Sequence, residues 1–235
     1  MDIDVRFTLE VKGEVSVYHN DNHISSSRRP FRVFVSDYYL PRFPGLYLGD
    51  PHTHSNYTED QVEFGSPINA GRELARAMGL SFFCVTDHSY DMDDRLDSYL
   101  ENDPSLPKWV SFQSEVDLLN KGSHDFAIVR GEEVSCRNEK GDNVHFLVLG
   151  QKEFIRGSGD GAEKWLQTRS EHTIGEVLSR TSVGAVTFAA HAQEPVPLLQ
   201  RILLGRGIWS FSDLRNEGLA GLQILNGKLD IGFRK

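Results

Sequence analysis

Val5, Phe7, Leu9 and Val11 alternate with charged or polar neighbours, the period-two pattern of a half-buried strand. Lys12-Gly13 supplies a turn, and Val15 to Tyr18 reads as a second strand. The polar stretch Asn20 to Pro30, with its basic pair Arg28-Arg29, reads as a loop. Alternation resumes over Phe31 to Tyr39 until Pro41 and Pro44 end it. Residues 1–45 are expected to form a small β extension without recognisable chemistry, packed beside a main domain of residues 46–235.

From Leu46 the pattern becomes strand, loop, helix, repeated. Ile68 to Met78 suits a helix, with Ser66-Pro67 at its start, Pro at the first helical position and Gly79 beyond its end. Leu80 to Val85 is a continuous apolar strand, and the polar, Pro-bounded stretch Asp91 to Pro107 reads as a surface insertion near the site. Val110 to Asn120 has mixed helical propensity. Phe126 to Val134 and Val144 to Leu149 read as strands joined by the turn-rich Arg137 to Asn143. Glu171 to Arg180 reads as a helix, Ala185 to Ala190 as a strand, Ser212 to Glu217 as a short helix and Gly221 to Leu225 as a final strand. Apolar strands alternating with helices imply an α/β fold with a mostly parallel sheet and helices outside it. If such a sheet closes into a barrel, its active site lies at the carboxyl ends of the strands.

Bulk composition narrows the function. At 235 residues the chain suffices for one sizeable domain, and 39% hydrophobic with 25% charged residues is ordinary for a globular protein. A net charge of −9 argues against nucleic acid as a non-specific partner. The start, Met1-Asp2-Ile3-Asp4, lacks a secretory signal. No apolar run approaches the ~20 residues that span a bilayer. Cys84 and Cys136 form no disulfide framework. The cytoplasm is the expected compartment.

The chemistry lies where apolar strands meet polar loops. Leu46 to Leu48 leads into Gly49-Asp50-Pro51-His52-Thr53-His54, and Leu80 to Val85 leads into Thr86-Asp87-His88. Residues i and i+2 of a strand share a face, so His52 and His54 can grip one cation as neutral imidazoles. Gly131-Glu132-Glu133 sits at the expected end of the strand beginning near Phe126. His145 lies within the strand Val144 to Leu149, and His191 directly follows Ala190. Alternation turns only one of Glu132 and Glu133 inward, and the spacing from Gly131 favours Glu133. His145 shares a face with Leu147 and Leu149, so a core histidine is its alternative reading. Four strand ends delivering His or Glu to one rim point to a metal site. His19, His23, His124 and His172 read as surface residues. Arg95, Arg130 and Lys164 read as solvated charges, Cys84 as core packing, and Asn226 as a contact beside the site.

These motifs, in this order, resemble those of the PHP (polymerase and histidinol phosphatase) metallohydrolases, from about Tyr47 onward. The preceding β extension is similar to the carbaryl-hydrolase-like branch. The resemblance implies a distorted (β/α)7 barrel with two or three Zn, Mn or Fe ions. It implies that His52 and His54 hold a first metal, that Glu133 bridges it to a second, and that His145 and His191 complete the second. His88 would bind a third metal with an acid in the loop after His54, either Asp60 or Glu59. Asp87 would orient an imidazole. Glu133, His52, His54 and His191 would form the catalytic centre, with a metal-bridging hydroxide attacking a small, phosphorylated substrate.

Three departures qualify the likeness. The family's last motif, Asp-x-His, is absent, so the chain reads as truncated at Lys235, shortly after Leu225-Asn226-Gly227. Ala192 follows His191 where Pro is usual, and Pro51 stands where Leu is common. Metal-dependent phosphoester hydrolysis is the first expectation. Hydrolysis of an amide, carbamate or ester is the second, and a non-catalytic PHP module that stabilises or recruits a partner is the third.

Overall fold

The computed structural model describes residues 2–19, 31–33, 35–58, 65–159 and 168–224. Asp60, Glu59, His23, Lys164 and Asn226 lie outside the described residues. The chain divides into two compact units, Met1–Pro41 and Arg42–Lys235.

In the first unit, β2 (Arg6–Val11) and β3 (Glu14–His19) form an antiparallel hairpin. Its two-residue turn has positive φ at both Lys12 (53°) and Gly13 (84°), the backbone that matches strand twist. β1 (Asp2–Ile3) pairs with β4 (Phe31–Arg32). The strand read from Val5 to Val11 is present as β2, with its residues exposed rather than half-buried. Strand structure ends at Arg32 instead of continuing towards Tyr39.

The second unit is built on a six-stranded sheet curled into a half-barrel, in the order β12-β11-β10-β9-β6-β5. Its strands are β5 (Gly49–Thr53), β6 (Phe82–Val85), β9 (Ala127–Arg137), β10 (Asn143–Leu149), β11 (Val186–Ala189) and β12 (Gly221–Leu222). β7 (Asp94–Arg95) and β8 (Ser98–Asn102) form a separate hairpin. The helices are α1 (Ile68–Ala77), α2 (Ser89–Met92), α3 (Pro107–Asn120), α4 (Ile174–Arg180) and α5 (Leu198–Leu203). Pro67 is the residue before α1 rather than its first helical residue, α5 has no counterpart in the sequence reading, and the expected helix at Ser212 is a 3-10 turn, Asp213–Arg215.

The expected mostly parallel sheet is mixed. β5, β6 and β9 run parallel, and so do β11 and β12, but β10 is antiparallel to both its neighbours. The reversal is set between Arg137 and Asn143. There the Asn138 side-chain oxygen accepts from the amides of Lys140 and Asp142, and Gly141 takes φ 84°. β9 also runs past its expected end at Val134. Its parallel pairing with β6 stops at Arg130, and its antiparallel pairing with β10 carries it to Arg137.

The two faces of the sheet bury different things. Phe83, Val85 and Ile128 pack on one face with Trp109, Phe112 and Val116 of α3 and Ile68 of α1. Val134, Val144, Phe146 and Val148 pack likewise with Ile174 and Val177 of α4 and with Trp209. The alternate positions Cys84, Leu147 and Leu149 form a smaller apolar cluster with Ala190, so Cys84 is core packing. Period-two geometry puts Glu133 and His145 on that second face, leaving polar groups beside a small apolar floor. The stretch from Asp91 to Pro107 is only partly the surface insertion expected: Asp91, Met92, Asp93 and Asp94 are buried, Asp94 lying 3.6 Å from the buried Lys108 ammonium. Among the described residues no helix is long and apolar enough to cross a membrane.

Candidate metal centre

Tertiary pairing carries six motif residues to one point. β5 delivers His52, and His54 follows directly after its last residue, Thr53. Beyond Val85 the parallel ladder continues as a bridge between His88 and Glu133, with the Glu133 amide donating to the Asp87 carbonyl. Glu133 sits opposite Leu147 and beside the register of His145. The Ala190 amide donates to the His145 carbonyl, which sets His191 next to it. Because β10 is reversed, His145 arrives from the amino end of its strand rather than from a carboxyl end. Gly131 is needed for this closeness, since a Cβ there would lie 2.8 Å from the Val148 carbonyl oxygen.

Five imidazoles surround the Glu133 carboxylate. Its Oε2 lies 3.0 Å from His52 Nε2, 3.0 Å from His54 Nε2 and 3.2 Å from His88 Nδ1. Its Oε1 lies 2.7 Å from His145 Nδ1 and 2.9 Å from His191 Nε2. Two triads have ligand atoms close enough to share an ion: His52, His54 and Glu133, and His88, Glu133 and His145. His88 is thus brought beside Glu133 and His145, whereas the family resemblance gave it to a separate third metal. His191 lies on the exposed side of the cluster with φ 28°, a left-handed backbone that costs energy in a non-glycine residue.

Hydrogen bonding on the far side of the His52 and His54 rings decides what faces the carboxylate. The Gln223 side-chain oxygen accepts from the His191 backbone amide at 3.0 Å and lies 2.9 Å from His52 Nδ1. An amide oxygen carries no hydrogen, so His52 Nδ1–H is the donor and a neutral His52 has its lone pair at Nε2. Thr58 Oγ1 donates to Asp87 Oδ1 at 2.8 Å, so towards His54 Nδ1, 3.4 Å away, it accepts. His54 Nε2 is therefore also an acceptor. Three lone-pair atoms, His52 Nε2, His54 Nε2 and Glu133 Oε2, converge at 3.0–3.2 Å. Such a group needs positive charge at its centre, either an added proton or a cation. Two neutral imidazoles and a carboxylate suit zinc, manganese or iron.

The electrostatics agree with a cluster built around cationic charge. Burial alone would push Glu133 upward, but the positive charge of His52, His145 and His88 holds it well below the usual carboxylate range. Burial opposes charging of His52, yet Glu133 and the Gln223 oxygen raise it above the ordinary imidazole value. Glu132 points to the opposite face, where it accepts from Ser89 Oγ at 3.0 Å and from the Ile155 amide at 3.1 Å. Burial pushes its carboxyl up to about 8.

Asp87 contacts Ser55 and Thr58, and reaches an imidazole only through Thr58. It accepts from Ser55 N and Oγ, both at 2.6 Å, and from Thr58 N and Oγ1. It therefore pins the chain just after His54. Arg95 pairs with Asp97 and Glu101, and Arg130 with Gln113 and Asp117, away from the cluster. Thr58, Gln223 and Arg206 escaped the sequence reading, because none lies in a motif or at a telling spacing. The cluster opens into a cleft of about 420 Å³, walled by Pro195, Val196, Pro197, Gln200, Arg206 and Trp209.

No protein-family model matches the chain, and no curated protein matches it. Among solved structures it is similar to a two-domain protein containing a predicted PHP-like metal-dependent phosphoesterase from Bacteroides vulgatus ATCC 8482. Identity is 13% and the TM-score 0.41, over 75% of this chain and 43% of that one. The chain thus spans less than half the length of that protein.

Proposed function

We propose that this chain is a metal-dependent hydrolase of the PHP type that cleaves phosphoesters of small molecules. The observation that carries the reading is the ring of five imidazoles around one buried carboxylate, with His52 and His54 held in the ligating tautomer. His52, His54 and Glu133 would hold one divalent ion, and His88, His145 and His191 would share Glu133 with another. Zinc, manganese and iron all suit this donor set. Divalent ions bound there supply an activated water and stabilise negative charge on the reacting oxygens.

The chain's own residues do the rest. Glu133 turns one carboxylate oxygen to His52, His54 and His88 and the other to His145 and His191. Being buried and well below its ordinary range, it remains an anion at neutral pH. Thr58 and Gln223 hold the rings of His54 and His52, so little reorganisation is needed when charge develops. Among the described residues the cleft lining holds no serine or cysteine, and Cys84 is buried with its thiol pushed up to about 12 by desolvation.

The test is a metal-loaded preparation assayed against a panel of phosphoesters and, in parallel, of carbamates, amides and carboxyl esters. Phosphoester turnover that disappears in His52→Ala and Glu133→Ala supports the proposal. Turnover of carboxyl derivatives alone would replace it with the second hydrolytic reading. A protein that binds under one ion per chain and cleaves nothing would leave only a structural or partner-binding role.

A further inference from the structure

Three cations line a second cavity, of about 470 Å³, that shares no lining residue with the metal cleft. Arg137 ends β9, Lys140 lies in the turn to β10, and Arg169 precedes α4. Backbone and side-chain bonds fix each of these segments. The Arg137 amide donates to the His172 carbonyl at 2.8 Å. The Lys140 amide donates to the Asn138 side-chain oxygen at 2.9 Å. Beside Arg169, Ser170 gives its amide and its hydroxyl to the Asn143 side-chain oxygen, at 3.0 and 2.9 Å. Three segments distant in sequence are thus pinned around one hollow.

Their charge is not matched within the chain. Arg137, Lys140 and Arg169 form no ion pair among the described residues. The partly buried Arg137 guanidinium donates to one carbonyl, that of Glu171 at 3.3 Å, and its Nε is buried without an acceptor. Such a cation bears an uncompensated desolvation cost that a nearby anion offsets. Among the described residues two acids line the cavity, Glu139 and Asp213. Both are engaged at the neighbouring turn: Glu139 accepts from Ser212 Oγ at 2.5 Å, and the buried Asp213 accepts from the amides of Glu139 and Ser210. Glu176, in the first turn of α4, is taken up by the Thr173 amide and hydroxyl. Three positive charges against two negative leave the lining positive, in a chain whose net charge is −9.

We infer that Arg137, Lys140 and Arg169 form a binding site for a small phosphate-type oxyanion, separate from the metal centre. Two guanidinium forks and an ammonium, carried by three segments, can share the oxygens of one tetrahedral dianion, whereas a monocarboxylate has only two oxygens to offer. The cavity falls within the roughly 300–1,000 Å³ usual for small-molecule sites. The inference is independent of the hydrolase reading, because no residue of the His/Glu cluster lines this cavity.

The probe is inorganic phosphate, titrated by calorimetry into the full chain at fixed ionic strength, with a chelator present to keep divalent ions from the cluster. Acetate is the comparison anion. Lys140→Gln and Arg169→Gln should each weaken phosphate binding roughly three- to tenfold, and the double variant roughly ten- to hundredfold. Both side chains are exposed, so the melting temperature should hold. Lys121→Gln, exposed elsewhere on the surface, should leave phosphate binding unchanged. The inference is overturned if the unaltered chain binds no phosphate with the chelator present, or if the double variant binds it as tightly as the unaltered chain. It is also overturned if Lys121→Gln weakens binding as much as the other two, or if acetate binding depends on Lys140 and Arg169 to the same degree. Each of these outcomes leaves the hydrolase reading standing, since that reading is decided by turnover at the metal centre.

Discussion

His52 Nε2 and His54 Nε2 lie 3.2 Å apart, and the hydrogen of each ring is committed elsewhere, to the Gln223 oxygen and to Thr58 Oγ1. Two lone pairs aimed at one carboxylate oxygen make a group that could receive a cation. The arrangement depends on the two outer partners as much as on the imidazoles.

Gln223→Leu and Thr58→Val should therefore each lower metal affinity by roughly 10–100-fold without removing a ligand. Competition against a chelator measures it. Affinity in both variants equal to that of the unaltered chain would falsify the tautomer argument. Both side chains make structural bonds too, so affinity, not melting temperature, is the deciding readout.

Glu133→Gln removes the anion that every imidazole of the cluster faces. Turnover should fall by at least roughly 10²-fold, and added metal should no longer raise the melting temperature, as it should in the unaltered chain. The same variant tests linkage. Glu133 is held well below its ordinary value when folded, so it contributes stability above the unfolded-state carboxylate range that is lost as pH falls. In metal-free protein, Glu133→Gln should flatten the acid limb of the stability profile.

Glu132 predicts the opposite slope. Its folded carboxyl is raised to about 8 from 4.5 by burial. Stability from its protonated form is complete below about 4.5 and fades as pH rises through 8. Glu132→Gln should lose less stability between pH 5 and 9 than the unaltered chain, by on the order of a few kcal/mol. Denaturant unfolding at the two pH values measures the difference, and parallel profiles would refute it.

Asp87 accepts four hydrogen bonds from two residues of the segment after His54, Ser55 and Thr58. Asp87→Ala takes the Asp87 acceptor from the Ser55 amide and the Ser55 and Thr58 hydroxyls, while the Thr58 amide keeps the Ser55 carbonyl, and should cost about 2–4 kcal/mol of folding stability. Because Thr58 Oγ1 loses the partner that fixes its role towards His54, metal affinity should drop as well. An Asp87→Ala protein with unchanged melting temperature and metal affinity would show that the loop is held by other means.

The sequence by itself determined which residues make up the cluster and most of the strands that carry them. His52, His54, His88, Glu133, His145 and His191 were all legible, because period-two alternation and strand-to-loop boundaries are local properties of a chain. Their partners were not. Gln223 meets His52 only because β12 pairs with β11, Arg206 meets His145 only because its loop bridges Asn143, and Thr58 accepts from His54 only because its own hydrogen goes to Asp87. The mixed sheet was equally hidden, since β10 is buried along its whole length and reads as apolar in either direction. A hydrogen bond between residues far apart in sequence leaves no periodic trace in either segment. Tertiary structure alone therefore decided which nitrogen of His52 and of His54 donates and which accepts.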